Sequence, residues 1–388
     1  MPKPDIKGLF YITHVNNIKS ILRHGILSHA LVEERKVPFT PIYDAQIVSN
    51  RRGRMTPSGK SLWDYANLYF QPRNPMLYRV INEKDKKDIA IVGVRPDILK
   101  QPNAFVSTGN AASLPSDILS VKEGLKAIHQ MWKVIDSEWW NDTDGSKRKI
   151  MAECLVPELI PPSLIQAIYV ANHSIAEKLR NDLQPSVSVI PEPRMFFQPT
   201  WQSRVTPSMS LVEGDLFFSN MQTLTVSVNT VGIMGKGLAS RAKYQFPDVY
   251  VVYQDACRNK KLQMGKPYLY KRESFVDEEL ADEPSSLSTP NSNKWFLLFA
   301  TKKHWRENSD MAGIEQGLQW VKDKYKTEGI KSLAIPALGC GLGGLEWKDI
   351  GPLICQYLVT LDIPVAIYLP REKEIPREYL TNEFLLGK

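Results

Sequence analysis

"NTVGIMGKGLASRAKYQFP", residues 229–247, follows the strand-like run "TLTVSV" and places three glycines within seven positions of its first residue's neighbour, Thr230. A second loop, "PALGCGLGGLEW", residues 336–347, follows "IKSLAI" in the same way. Glycines there leave several backbone amides unobstructed, and such amides can cradle a diphosphate; the plainer reading is a pair of tight turns. Neither loop is a Walker A sequence or a strand-linked G-x-G-x-x-G fingerprint. Around them, "LVEGDLFFS", "KWFLLFATKKHW" and "DIPVAIYLP" read as strands, and "MAGIEQGLQWVKDKYK" and "EWKDIGPLICQYLVT" as helices. Strand and helix in alternation predict an α/β layered domain with ligand loops at strand ends.

The whole chain has 388 residues, 43% hydrophobic and 10% aromatic, which predicts two globular domains. Pro185, Pro191, Pro193, Pro199 and Pro207 punctuate residues 184–208, the expected junction between a first domain at 1–183 and a second at 209–388. No apolar run is long enough to span a bilayer and no signal-peptide layout opens the chain, so a soluble, cytoplasmic protein without membrane contact is expected. Cys154, Cys257, Cys340 and Cys355 form no metal-ligand or disulfide pattern, so no metal is expected. The net charge of +7 is concentrated in the first 200 residues, with 26 Lys and Arg against 20 Asp and Glu, compatible with a polyanionic partner.

Four stretches in order, "EGDLFFS", "VNTVGIMGKGLA", "FATKKHWRENS" and "IPALGCGLGGLEW", resemble macrodomains, the ADP-ribose-binding α/β/α fold, and look most like DarG-type antitoxins that remove ADP-ribose from DNA. The resemblance covers about residues 211–370. It implies that Asp215 or its neighbours recognise the adenine end, and that Asn229, Gly235, Gly237, Gly341, Leu342 and Gly343 surround the distal ribose and diphosphate. Lys302 is the candidate catalyst, as an amine that attacks the anomeric carbon or as a cation beside the departing base, against the bland reading of a solvated lysine. Lys236 reads as a phosphate contact or a second candidate, and His304 as a structural residue, a hydrogen-bond donor or a proton relay.

In the first half, "YITHVNNIKSILRHGIL", "NRRGRMTPSGKSLWDYANLYFQPRNPM" and "WWNDTDGSKRKIMAECLVPELIP" are similar to DarT-type toxins, NAD-dependent DNA ADP-ribosyltransferases, over about residues 6–183. That implies an α+β ADP-ribosyltransferase-like domain followed by the α/β/α macrodomain. Tyr11, Thr13 and His14 would edge the nicotinamide site, and Arg51 or Arg54 would supply the essential arginine. Glu153, a charge among Met151, Ala152, Cys154 and Leu155, would stabilise the anomeric carbon and help deprotonate the target base, with Glu158, in a segment expected at the surface, as alternative. Tyr65, Tyr69 and Phe70 could stack on single-stranded nucleic acid, with Arg73 and Arg79 on phosphates; core packing is the competing reading.

Two departures stand out: "FVSTGNAAS" puts Asn110 where the family's histidine is expected, and "ANLYF" replaces a proline-aromatic pattern. Asparagine cannot act as a general base near neutral pH. The expected function is a fused toxin and antitoxin that transfers ADP-ribose from NAD to a base in single-stranded DNA and reverses the modification. An intramolecular toxin–antitoxin contact would add direct restraint. The alternatives are RNA or protein as substrate, or a weakened protein that only binds ADP-ribose or nucleic acid.

Overall fold

The structure, a computed structural model, describes residues 6–42, 50–141, 143–183, 186–272, 294–371 and 373–387. Two compact units meet in sequence between Phe197 and Gln198. Of the stretch expected as a junction, Gln184 and Pro185 lie outside the described residues, and the rest carries a strand of each unit, Ser188–Pro191 in the first and Trp201–Arg204 in the second. Prolines are tolerated there because both strands sit at sheet edges.

In the first unit the strands are β1 (Leu9–His14), β2 (Ile26–Leu27), β3 (Tyr65–Tyr69), β4 (Ile89–Val94), β5 (Phe105–Ser107), β6 (Ile118–Ser120), β7 (Glu153–Pro157), β8 (Leu159–Ile160), β9 (Ile165–Val170) and β10 (Ser188–Pro191). Among the described residues, eight form one sheet in the order β10-β9-β4-β1-β3-β7-β5-β6. The β4 sequence "IAIVGV" is buried throughout, as an apolar run in a central strand must be. Antiparallel pairing of β3 with β7 sets Tyr69 opposite Glu153, and β1 sets Phe10 opposite Tyr69 on the other side. The "YANLY" segment, read from sequence as a stacking surface or loop, is therefore a sheet strand.

The second unit contains β11 (Trp201–Arg204), β12 (Met209–Glu213), β13 (Thr223–Asn229), β14 (Tyr268–Tyr270), β15 (Trp295–Lys302), β16 (Leu333–Pro336) and β17 (Val365–Tyr368), in the order β11-β12-β17-β16-β13-β15-β14. The inner strands β12, β17, β16, β13 and β15 run parallel. Successive residues of β15 face opposite layers: Leu297 and Phe299 pack under the helices Met311–Glu328 and Trp347–Leu358, whereas Phe296, Leu298 and Ala300 pack under Gly237–Gln245 and Pro247–Arg258. That gives the expected α/β/α layering. Because the strands are parallel, Asn229 and Lys302 at strand C-termini, and Asp215 and the loop after Pro336 just beyond them, all come to one edge of the sheet. No helix of the described residues is long and apolar enough to cross a membrane.

The helix Ile18–His24 stops at Gly25, whose φ of +84° suits glycine. A Cβ at this position would lie 2.2 Å from the Ile160 carbonyl oxygen, because β2 pairs with β8 immediately beyond. Gly25→Ala is accordingly expected to lower the stability of the first unit by about 2 kcal/mol or more, measured by chemical denaturation.

Candidate active sites

Glu153 opens β7 with none of its surface exposed, so its charge needs partners. Arg51 supplies them as a two-pronged pair: Nη2 lies 3.1 Å from Oε2 and Nη1 3.4 Å from Oε1. The Ala111 amide donates to Oε1 at 2.9 Å, and the Glu153 amide donates to the Ser107 hydroxyl at 3.0 Å. Burial pulls the Arg51 guanidinium down, but the charge and hydrogen bond of Glu153, with Tyr69 and Tyr11, outweigh it and raise the pKa. The same neighbourhood acts on Tyr11, whose phenol is raised by burial and partly restored by Arg51. Of the two arginine candidates, Arg51 reaches the carboxylate; Arg54 donates instead to the Ser116 carbonyl at 2.8 Å.

Beside this pair a cavity of about 80 Å³ is lined by Tyr11, Thr13, Asn17, His29 and Thr40, among others. Asn17 ties its wall together, donating to Thr13 Oγ1 at 3.1 Å and to the Thr40 carbonyl at 2.8 Å. His14, the last residue of β1, caps the turn that follows, its Nδ1 accepting from the Asn16 amide at 3.1 Å. His29 stacks on Trp63 at 4.3 Å, and the Arg52 guanidinium lies over the Trp63 ring at 4.3 Å. Glu33 joins the stack, accepting from Trp63 Nε1 at 3.1 Å and from Arg52. Burial, then the nearby Arg51, pushes the His29 imidazole down to about 4.

The expected nucleic-acid residues divide. Tyr65 is 2% exposed, its hydroxyl 3.0 Å from Ser58 Oγ, so it packs the core and offers no face to a base. Phe70 is buried as well. Tyr69 is half-buried beside Glu153. Arg73 lies over the Phe197 ring at 4.5 Å and is largely buried, and Arg79 is paired with Glu83 on its own helix. Both arginines are committed inside the unit. Glu158 is exposed and has a positive φ of 63° at the turn between β7 and β8, well apart from the paired carboxylate's strand start.

In the second unit Asn229 and Lys302 are register neighbours at the ends of β13 and β15. The Asn229 amide is heavily engaged: Oδ1 accepts from the Val231 amide at 3.0 Å and the Tyr253 hydroxyl at 2.8 Å, and Nδ2 donates to the Ile233 carbonyl at 2.6 Å. It fixes the path of the glycine loop, leaving Gly235, Lys236 and Gly237 exposed at the start of the helix Gly237–Gln245. Lys302 Nζ donates to the Leu342 carbonyl at 3.2 Å, which joins β15 to the second glycine loop. Partial burial lowers the Lys302 ammonium, with Glu307 opposing. Gly341 and Leu342 are exposed, and Gly343 is buried where a Cβ would sit 2.3 Å from Ser309 Oγ and 2.5 Å from the Gly339 carbonyl oxygen. Gly237 comes close to Leu342 across the gap, so the two loops face each other around Lys302.

Asp215 is paired with Arg241 at 2.8 Å and Arg371 at 3.7 Å, and caps the short turn Leu216–Phe218 through the Phe217 amide. His304 accepts at Nδ1 from the Arg306 amide at 3.3 Å, a turn-forming role. Burial pushes the Cys340 thiol, in the second glycine loop, up to about 12. Sequence reasoning missed Ser107, Ala111, His29 and Tyr253. An amide donor leaves no side-chain signature, and a tyrosine at helical spacing reads as core.

Comparison with known proteins accounts for both units. Residues 10–201 match the family model described as DarT, ssDNA thymidine ADP-ribosyltransferase, and residues 288–354 match the Macro domain. A DNA ADP-ribosyl transferase–DNA ADP-ribosyl glycohydrolase fusion protein of Thermosipho africanus is 55% identical over 385 residues, covering 99% of each chain. The solved structure of Thermosipho africanus DarTG in complex with ADP-ribose superposes with a TM-score of 0.91 and 54% identity, covering 98% of this chain and 100% of that one. A DNA ADP-ribosyl glycohydrolase of Thermus aquaticus is 34% identical over 165 residues, 42% of each chain.

Two outcomes test these constellations. Protonation of His29 is resisted in the folded state, since its pKa of about 4 lies below the ordinary histidine value of about 6.5. Stability of the first unit should therefore fall as pH drops from about 6.5 to about 4, by up to about 3 kcal/mol, and level off below. His29→Gln should flatten that part of a pH–denaturation profile. Tyr253→Phe removes the hydroxyl that holds Asn229 and should cost about 1 kcal/mol, with faster hydrogen exchange at the Val231 and Ile233 amides.

Proposed function

Because this chain belongs to the family of fused DNA ADP-ribosyl transferases and DNA ADP-ribosyl glycohydrolases, we propose that Glu153 with Arg51 carries the transfer and that Lys302, between the two glycine loops, carries its reversal. The first domain transfers ADP-ribose to a base in single-stranded DNA and the second removes it, a toxin and its antidote in one polypeptide. NAD is the ADP-ribose donor. The observation that carries the reading is the buried carboxylate of Glu153, desolvated and oriented by Arg51 and the Ala111 amide.

In the transfer step the bond between nicotinamide and C1 of its ribose breaks, and nicotinamide leaves with the electron pair. The ribose carbon gains positive character, which Glu153 stabilises, and a thymidine ring nitrogen forms the new bond while passing its proton to that carboxylate. Arg51 then balances the diphosphate charge that the donor brings. Tyr11 and Thr13, on one face of β1, border the cavity for the nicotinamide end. His14 ends the same strand and caps the turn that follows through Nδ1, and Asn110 serves its loop: its Oδ1 accepts from the Ala112 amide at 3.1 Å, next to the amide that serves Glu153. A missing histidine at this position therefore leaves the carboxylate's support in place.

In the reverse step the bond between the base nitrogen and the ribose carbon breaks; water supplies hydroxide to the carbon and a proton to the base. Either Lys302 attacks that carbon as a neutral amine, displacing the base, and water then cleaves the lysine–carbon bond, or its ammonium stabilises charge as the base departs. The exposed backbone of Gly235–Gly237 and of Gly341 and Leu342, with buried Gly343 behind them and Lys236 beside them, holds the diphosphate, and Asp215 with its arginines borders the adenine end. The reading includes an intramolecular toxin–antitoxin contact in a cytoplasmic protein; equal transfer rates for the full chain and for a chain ending before Gln198 would exclude that contact.

Incubating the Lys302→Ala chain with NAD and a mixed single-stranded DNA pool should yield an intact-mass adduct of one ADP-ribose. Adding Glu153→Gln should reduce the adduct at least a hundredfold, and the unmutated chain should remove it. An unmodified DNA pool beside modified RNA or protein would overturn the DNA reading.

A further inference from the structure

Beyond the two glycine loops, the turn that follows Lys302 carries an aromatic side chain that the chemistry so far leaves without a role. Trp305 is 46% exposed, although burying an indole is among the larger gains a folded chain can make. The Arg306 guanidinium lies over its ring at 4.6 Å, and the His304 ring centre is 5.3 Å away.

This turn is held in place. Thr230, in the first glycine loop, donates to the Lys303 carbonyl from its amide at 3.1 Å and from its hydroxyl at 2.9 Å. Glu307 accepts from the His304 amide at 3.2 Å, and the Arg306 amide donates to His304 Nδ1. At the far end the Ser309 amide donates to the Gly343 carbonyl at 2.8 Å. The exposed indole is thus presented by a turn pinned to both glycine loops, three residues from the candidate catalyst. Lys302, Lys303 and Arg306 give the same turn three cations, against Glu307, whose carboxylate already accepts the His304 amide.

A rigid aromatic face with a planar cation on it, among further cations, fits a flat ring carried on a polyanionic strand. We propose that Trp305 and Arg306 form the shelf that receives the modified nucleobase and its flanking phosphate, so that the second domain distinguishes DNA-linked ADP-ribose from free ADP-ribose. This rests on the reading that the second domain cleaves a base–ribose bond. Free ADP-ribose has no base at that carbon and gains nothing from the shelf; the substrate gains a stacked ring and a neutralised phosphate.

The test uses the full chain with Glu153→Gln, so that no new adduct forms, and compares Trp305→Ala, Trp305→Phe and Arg306→Ala with that parent. The probes are an ADP-ribosylated single-stranded oligonucleotide, followed by hydrolysis, and ADP-ribose, followed by calorimetry. Trp305→Ala should raise KM for the oligonucleotide about tenfold while the ADP-ribose Kd stays within twofold; Phe should recover most of the loss. Arg306→Ala should raise the same KM and make it less sensitive to salt. An unchanged KM, or an equal loss on both probes, would overturn the proposal, the second outcome making Trp305 a support of the loop. Failure of the parent chain to release any ADP-ribose from the oligonucleotide would instead overturn the glycohydrolase reading, an outcome separate from either.

Discussion

A buried carboxylate at the start of an inner strand dictates much of the first unit. Glu153 has no exposed surface, and an isolated buried charge is too costly to persist, so residues 50–54 must return to β7 across 102 positions of sequence to bring Arg51 against it. The two-pronged geometry fixes the guanidinium plane, and the His29–Trp63–Arg52 stack fixes the segment that carries it. Removing one partner of such a pair costs about 3–5 kcal/mol, because the remaining charge stays buried. The pair organises the site and constrains the fold together, so charge removal alone cannot separate those roles; the isosteric Glu153→Gln comes closest.

In the second unit the corresponding constraint is strand direction. Parallel β13, β15 and β16 deliver their following loops to the same edge, but direction alone leaves those loops free to wander. Hydrogen bonds among them remove the freedom: Thr230 to Lys303, Ser309 to Gly343, and Lys302 to Leu342. Asn229 and Tyr253 anchor the first loop from beneath. Backbone amides can serve an anionic ligand only if their positions are set before it arrives, since ordering them on binding would consume part of the affinity.

Layering and most second-unit strands were legible because the short apolar run of β15 and the glycine loops at strand ends are local signals. Glu153 was legible for a different reason, as a charge in an apolar run. Arg51 could not be separated from Arg54 by sequence, since the choice depends on which guanidinium crosses to β7 and which meets Ser116. The "YANLY" strand was obscured by aromatics that serve equally as stacking groups, and Tyr65 proved to be core. Asn110 drew attention for the histidine it replaces, whereas the neighbouring backbone amide of Ala111 is what reaches Glu153, and no sequence pattern marks an amide that finds a carboxylate.

Each chemical centre is assembled from one side of the boundary at Phe197: Arg51, Ala111 and Glu153 before it, Asn229, Lys302 and Leu342 after it. The two can therefore be lost one at a time, and the order matters. On the roles proposed for them, a lineage that first loses the Glu153 carboxylate keeps a harmless eraser, on which changes at Lys302 then accumulate unopposed. One that first loses the lysine retains an unreversed writer and is removed by its own product. Decay of such a chain thus has a direction, and surviving remnants should more often preserve the second centre than the first.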